Sequence, residues 1–286
     1  MKNQSANHLR KLLSREGIIR SLGAHDVLTA LIIEEEGLDT LFIGGFGTSA
    51  SLLGLPDLGF LEAGQMADAV RRIAARISIP IIADGDTGHG DLNNVRHTVE
   101  MIEASGAAGV LIEDQIFPKR CGHFDEKRVI SASEMELKIK MAVRSRYNPN
   151  FVIIARTDSR QLNGLDDSID RVIRFCEAGA DIGFIEAPQS LKELEEIPNR
   201  INYPLLANML TGGVTPILSV NELYQLGYKI AVCPVESLMV TVEAIRKMCQ
   251  IFLRKGRLDS HVEKLLSFQE LKNLLGVEKY LSNPKN

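Results

Sequence analysis

Short apolar runs alternate with stretches of helical periodicity along nearly the whole chain. The runs are Ile18–Leu22, Thr40–Ile43, Ile79–Ala83, Ala108–Ile112, Phe151–Ala155, Asp181–Ile185, Pro204–Ala207 and Lys229–Cys233. Runs with so little polar alternation suit strands buried on both faces, as in a parallel sheet. Between them, Ile169, Val172, Ile173 and Cys176 form one stripe within Asp166–Glu177, and Gly179 stands where a left-handed turn would end that helix. Glu62–Ile77 sets Met66, Val70, Ile73 and Ile77 on one face, and Ser131 with Glu134 reads as a capping box for a helix to about Arg144. The pattern predicts an α/β chain folded as a (β/α)8 TIM-type barrel. An open doubly wound sheet is the runner-up, since eight strand–helix units close more naturally than they splay.

The chain has 286 residues, long enough for one such barrel of about 250 residues with extensions. No low-complexity linker divides it, so a single domain is expected, with the barrel over about 15–255 and a helical extension over about 256–286. In that extension Leu265, Leu266, Leu271, Leu274 and Leu275 form a surplus apolar pattern, which would pack on a neighbouring subunit or cap its own barrel. A net charge of −4 gives no basic field for nucleic acid or an anionic membrane. No apolar run approaches the roughly 18 residues of a membrane helix, and the polar Met1–Arg15 has no signal-peptide core. Cys121, Cys176, Cys233 and Cys249 form no CxxC pair, so a reduced, cytoplasmic setting is expected.

The informative residues stand at the strand ends. The third run ends in Asp84-Gly85-Asp86, the fourth in Glu113-Asp114, the fifth in Arg156-Thr157-Asp158, the sixth in Glu186 and the seventh in Asn208. In an α/β barrel all strand C-termini open on one face, where catalytic groups collect. Each such residue alone is more readily a helix cap. Five in succession point to a site. Asp84, Asp86 and Glu113 offer only carboxylate oxygen, which suits Mg²⁺ or Mn²⁺ rather than zinc. Arg156 offers a planar fork to a substrate carboxylate. Gly85, Gly88 and Gly90 thin the backbone for a ligand's approach.

Lys119-Arg120-Cys121-Gly122-His123 follows the fourth run, and a thiol among cations has the surroundings that make it reactive. Cys176, Cys233 and Cys249 sit in apolar patterns and read as buried small hydrophobes. The glycine-rich Gly44-Gly45-Phe46-Gly47-Thr48-Ser49 reads as a loop whose amides could hold a carboxylate or phosphate, although it matches no dinucleotide or Walker pattern. His89 and His97 read as loop and helix-surface residues.

Taken together, Gly54-Leu55-Pro56-Asp57-Leu58-Gly59, Asp84 to Gly88, Glu113-Asp114-Gln115, Lys119 to His123 and Ala155 to Asp158 resemble the isocitrate lyase / phosphoenolpyruvate mutase superfamily over about residues 8 to 255. The resemblance implies a barrel whose last helix is exchanged between partners, in a homotetramer built from dimers. It implies Mg²⁺ at Asp84, with Asp57, Asp86 and Glu113 holding the metal's waters. It puts a substrate carboxylate on the amides of Gly45 and Phe46, beside Gly44, with Gly122 and His123, in the loop after the fourth strand, also binding substrate. Arg156, Glu186 and Asn208 would contact the substrate, and Cys121 would donate a proton in the bond-cleaving branch.

Departures from that pattern narrow the substrate. Methylisocitrate lyases carry arginines where this chain has Met239 and Phe268, a serine where it has Gly44 and a tyrosine where it has Phe42. A buried carboxylate without its cation costs a few kcal/mol, typically about 3–5. A 2-hydroxy dicarboxylate with an apolar substituent, such as 2,3-dimethylmalate, therefore fits Met239 better than a tricarboxylate does. The expected activity is a metal-dependent C–C cleavage giving pyruvate and a second acid such as propionate. A carboxyphosphonoenolpyruvate or phosphoenolpyruvate phosphonomutase, an oxaloacetate hydrolase and a non-catalytic binding barrel remain as alternatives.

Overall fold

The computed structural model describes residues 2–119, 127–258 and 265–281. The chain divides into two compact units, Met1–Ser237 and Leu238–Asn286. The first is a closed barrel of eight parallel strands in sequence order, as the run pattern predicts. The strands are β1 (Ile19–Gly23), β2 (Thr40–Ile43), β3 (Ile81–Asp84), β4 (Gly109–Glu113), β5 (Val152–Thr157), β6 (Ile182–Ile185), β7 (Leu205–Asn208) and β8 (Ile230–Cys233). The helices before β5 are α1 (Lys2–Ser14), α2 (Val27–Glu35), α3 (Gly45–Leu53), α4 (Ala63–Ala74), α5 (Leu92–Ala104) and α6 (Ala132–Ser145). Those after it are α7 (Arg160–Asn163), α8 (Leu165–Glu177), α9 (Leu191–Arg200), α10 (Val220–Leu226) and α11 (Glu236–Lys255). Two short helices of the second unit follow, α12 (Phe268–Leu275) and α13 (Glu278–Leu281).

Caps fix the helix starts where the sequence marks them. Ser131 Oγ accepts the Glu134 amide, and the Glu134 carboxylate accepts the Ser131 amide, which closes the capping box of α6. Glu62 and Gln65 do the same for α4, and Asp91 with Asn94 for α5. Asp26 caps α2 by accepting the Thr29 amide at 2.7 Å.

Strand periodicity sorts the core into two layers. Residues Ala83, Val110, Ile112, Ile153, Ala155, Ile185, Leu205 and Ala207 belong to the layer shared with the surrounding helices. Ile19, Phe42, Ile82, Leu111, Val152, Ile154, Ile182, Phe184, Leu206 and Ile230 fill the barrel interior. Leu9 and Leu12 of α1 join that interior, and Arg10 reaches the carbonyls of Asn150 and Phe151 and the carboxylate of Asp181. These partners precede β5 and β6, so α1 plugs the end of the barrel opposite the strand C-termini.

The second unit contains most of α11 with α12 and α13. Ser267 caps α12 by accepting the Glu270 amide. The side chains of Val240, Ile245, Phe252, Leu253, Leu266 and Phe268 are exposed. So is Cys249, which the apolar pattern marks as a buried residue: α11 has no buried side chain.

Candidate active site

Five of the strand-end residues lie two positions beyond an apolar residue of the barrel interior. Asp84 follows Ile82, Glu113 follows Leu111, Arg156 follows Ile154, Glu186 follows Phe184 and Asn208 follows Leu206. Side chains alternate along a strand, so the same parity that fills the interior carries these groups into its mouth. Glu113 and Arg156 are register partners on β4 and β5. Asp84, Glu113 and Glu186 are buried, and the Arg156 side chain is 12% exposed.

The mouth is a web of opposite charges. Arg156 donates from Nε to Asp158 Oδ2 at 2.8 Å and from Nη2 to Asp158 Oδ1 at 2.9 Å. Its Nη1 lies 3.1 Å from Glu186 Oε2, and its Nε 3.5 Å from Glu113 Oε2. The guanidinium also lies 5.5 Å from the centre of the Phe184 ring. Asn208 Nδ2 donates to Glu186 Oε1 at 3.2 Å, and the Ala187 amide donates to the same oxygen at 3.0 Å. Burial works against the Arg156 cation, but Asp158, Glu186 and Glu113 outweigh it and hold its pKa well above the ordinary value.

Four carboxylates gather beside this web. Asp84 Oδ2 accepts the Gly45 amide at 3.0 Å, and its Oδ1 accepts the Asp86 amide at 3.0 Å. Lys119 Nζ stands among the others, 2.7 Å from Asp57 Oδ1 and 2.8 Å from Asp86 Oδ1. The sequence marks Lys119 only as a cation flanking Cys121; here it is buried among the acids. Desolvation disfavours its charge, yet Asp86, Asp84, Glu113 and Asp57 together hold its pKa well above the usual lysine range. Burial pushes the Glu113 carboxyl far up, and Arg156 and Lys119 reverse this only in part.

The donor set fits a hard divalent cation. Among the described residues no three side chains form a ready-made metal cage. Mg²⁺ does not need one, because it keeps several waters and takes only one or two carboxylates directly. Glu113 Oε1 is buried with no hydrogen-bond partner. Asp57, Asp84, Asp86, Glu113, Asp114, Asp158 and Glu186 outnumber the described cations Lys119, Lys127, Arg156 and Arg171, all of them buried or nearly so. An excess of buried carboxylates over buried cations is relieved by a further positive charge or by protons held on carboxyls such as Glu113, whose pKa burial raises.

The structure alters three readings of the sequence. The glycine-rich stretch after β2 is no loop: Gly44 is the N-cap of α3 and Gly45 opens the helix. The Gly45 amide is engaged by Asp84, so Phe46 supplies the next amide of that first turn. Gly85 does not make room for a ligand; a Cβ there would stand 2.7 Å from Val110 Cγ2 and 2.9 Å from the Leu111 carbonyl, so its bareness serves the packing of β3 on β4. Gly88 and Gly90 likewise would press on Val95 and Asn94. Gly45 is the glycine at the acidic cluster, where a Cβ would stand 3.0 Å from Lys119 Nζ and 3.3 Å from Asp57 Oδ1 and Asp86 Oδ1.

His89 is also more than a loop residue. Its Nδ1 lies 3.1 Å from Thr98 Oγ1 and its Nε2 3.6 Å from Asp86 Oδ2. Asp86, His89 and Ala187 are the described non-glycine residues with positive φ, at 46°, 60° and 59°. All three lie just beyond β3 or β6, and left-handed backbone at such residues is concentrated in functional sites. His97 is exposed on α5, as the sequence suggests. Cys121, Gly122 and His123 lie outside the described residues, and Met239 is a half-exposed residue of α11 in the second unit.

Comparison with known proteins places this mouth in a family. The chain is 40% identical over 275 residues to 2,3-dimethylmalate lyase of Eubacterium barkeri, covering 96% of this chain and 95% of the relative. It is 39% identical over 274 residues to the chloroplastic carboxyvinyl-carboxyphosphonate phosphorylmutase of Arabidopsis thaliana, covering 94% and 81%. Its fold superposes on the structure of oxaloacetate acetylhydrolase in complex with 3,3-difluorooxalacetate with a TM-score of 0.92, at 33% identity, over 97% of this chain and 95% of that one. The profile described as phosphoenolpyruvate phosphomutase matches residues 9–253, and the chain thus belongs to the phosphoenolpyruvate mutase / isocitrate lyase superfamily.

Proposed function

We propose that the chain is a divalent-cation-dependent carbon–carbon lyase acting on a 2-hydroxy dicarboxylate of the 2,3-dimethylmalate or 2-methylisocitrate kind, releasing pyruvate and a second acid such as propionate. One observation carries the reading: the oxygen-only acidic cluster, with its surplus charge, lies directly beside a buried guanidinium at the same mouth. One side suits a cation and the other an organic anion. The 40% identity to a 2,3-dimethylmalate lyase, and Met239 and Phe268 in place of arginines, favour a dicarboxylate over a tricarboxylate.

Asp84 would hold Mg²⁺, with Asp57, Asp86 and Glu113 on its waters, and Mn²⁺ would serve the same oxygen set. The bound ion supplies Lewis-acid polarisation of the substrate oxygens. The Phe46 amide, at the start of α3 with Gly44 and Gly45, receives a substrate carboxylate. Glu186, outside the proposed cation set and in contact with Arg156 and Asn208, takes the hydroxyl proton, with a metal-held water as the other candidate base. The C2–C3 bond breaks to leave the keto acid, and the bonding electrons pass to the fragment bearing the second carboxylate. Arg156 and Asn208 stabilise that charge in a site shielded from water. Cys121 then gives its proton to the carbanion carbon, and its sequence neighbours Gly122 and His123 contact the substrate. The working form is a homotetramer, a dimer of dimers, in the cytoplasm.

The test is keto-acid release from 2,3-dimethylmalate, 2-methylisocitrate, oxaloacetate and phosphonopyruvate, with Mg²⁺ and with a chelator. Chelator-sensitive pyruvate from the first substrate is expected, and Cys121→Ser is expected to keep Mg²⁺ and pyruvate binding while losing turnover by orders of magnitude. Turnover of phosphonopyruvate alone, or full activity of the serine variant, overturns the assignment.

A further inference from the structure

Arg156 can present its charge usefully only if it does not collapse onto the carboxylates around it. Glu186 and Glu113 both lie within ion-pair reach of the guanidinium. A single-point contact with either would leave the plane free to rotate. The observed plane is fixed by Asp158, which takes Nε and Nη2 in a two-point fork and leaves the Nη1 edge facing Glu186.

Asp158 is itself fixed from behind. Its side chain is fully buried and accepts Lys127 Nζ at 3.2 Å, and its amide donates to Asp114 Oδ1 at 2.9 Å. Asp114 Oδ2 accepts Thr157 Oγ1 at 2.7 Å and Arg171 Nη1 at 3.1 Å. Arg171 projects from α8 and also donates to the Ile130 carbonyl and to Asp167. Asp114 and Thr157 have the parity of the outer layer, so this chain of bonds ties the helix ring to the mouth through the wall between β4 and β5.

We infer that Asp158 is a positioning residue: anchored by Lys127 and by Asp114 with Arg171, it orients the Arg156 guanidinium toward the substrate and keeps it from pairing fully with Glu113 and Glu186. The inference rests on the proposed lyase reading for its kinetic consequence, but not for its structural one. Asp158→Asn removes the charge and one acceptor of the fork, so the guanidinium swings onto the two glutamates.

Crystal structures of the wild-type protein and Asp158→Asn test the orientation without any substrate. The expected result is Arg156 with a new hydrogen bond to Glu113 at about 2.7–3.2 Å. A double-mutant cycle with Arg156→Lys tests the route. Asp158→Asn is expected to lower kcat at least tenfold with a smaller change in KM, and to add almost nothing in the Arg156→Lys background. Asp158→Glu, which keeps the charge, is expected to recover part of kcat, and Asp158→Ser, which removes it, replaces the asparagine variant in both measurements if that one does not fold. An unmoved guanidinium, or additive losses in the cycle, overturns the inference. A displaced Arg156 in a protein that releases no keto acid from any substrate of the panel sinks the lyase reading and leaves this one standing.

Discussion

Lys119 Nζ lies 2.7 Å from Asp57 Oδ1, and the two side chains are 3% and 7% exposed. A buried lysine so placed is a counter-ion already supplied by the chain. It shares its carboxylates with any cation that binds at Asp84. Removing it should have opposite effects on the two forms of the protein. Lys119→Met is expected to tighten Mn²⁺ binding about tenfold or more, roughly 1.4 kcal/mol, because one competing positive charge is gone. In chelator the same variant should lose about 3–5 kcal/mol of stability, because buried acids are left without a partner. Calorimetric Mn²⁺ titration and urea unfolding read the two effects. Equal or weaker Mn²⁺ binding would show that Lys119 supports the cation instead of competing with it.

Gly45 separates the needs of the helix from those of the site. It opens α3, where alanine is the better helix former by up to about 1 kcal/mol. Yet the added methyl would meet Lys119 Nζ at 3.0 Å and two carboxylate oxygens at 3.3 Å. Gly45→Ala is therefore expected to unfold no more easily than the wild type while turnover falls at least tenfold. Melting and keto-acid assays on the same preparation check both halves. An unimpaired enzyme would mean that the lysine end yields without consequence.

The barrel was legible because its strands are nearly uninterrupted apolar runs: β2, β6 and β8 fall within the expected runs, β1, β3, β4 and β7 end one residue later, and β5 ends two residues later, at Thr157. The mouth was legible because polar residues stand at successive strand ends, which open on one face of a barrel; which of them point inward is shown only by the layer of the preceding residues in the structure. Lys119 was not, because its partner Asp57 is 62 residues away and no periodicity links them. His89 was missed for a similar reason: its contact with Asp86 depends on left-handed backbone at both residues, which no side-chain pattern announces. The start of α3 was hidden by its glycines, which are poor helix formers but tolerated where β2 turns directly into the helix.

The second unit predicts an assembly. Val240, Ile245, Phe252 and Leu253 of α11 and Phe268 of α12 are exposed together with Leu265 and Leu266. That is more apolar side chain than a soluble monomer ordinarily shows. Light scattering should give a mass that is a multiple of 31.6 kDa, four-fold for the proposed tetramer. Replacing Phe252 and Leu253 with glutamate should lower that mass. A wild-type protein that stays monomeric at micromolar concentration would remove the basis for a shared helix.

Thiol chemistry distinguishes Cys121 from the other cysteines by its consequence. Burial, with Asp181 and Glu177 nearby, pushes the Cys176 thiol up to about 12, and burial with Glu236 pushes Cys233 to about 11. A raised thiol pKa means that the fold favours the neutral form. The associated stability is whole below the ordinary value of 9.0 and is lost as pH rises through 11 and 12. Near pH 8 the thiolate, which is the reactive form, is therefore scarce at both sites. Cys249 is exposed. Iodoacetamide near pH 8 is expected to label Cys176 and Cys233 barely, and Cys249 only where the assembly leaves α11 uncovered, as peptide mass spectrometry would show. In Cys249→Ser the remaining fast label should fall on Cys121 and abolish turnover in step with its incorporation. Labelling of Cys121 to completion with activity intact would exclude its thiol as the proton donor.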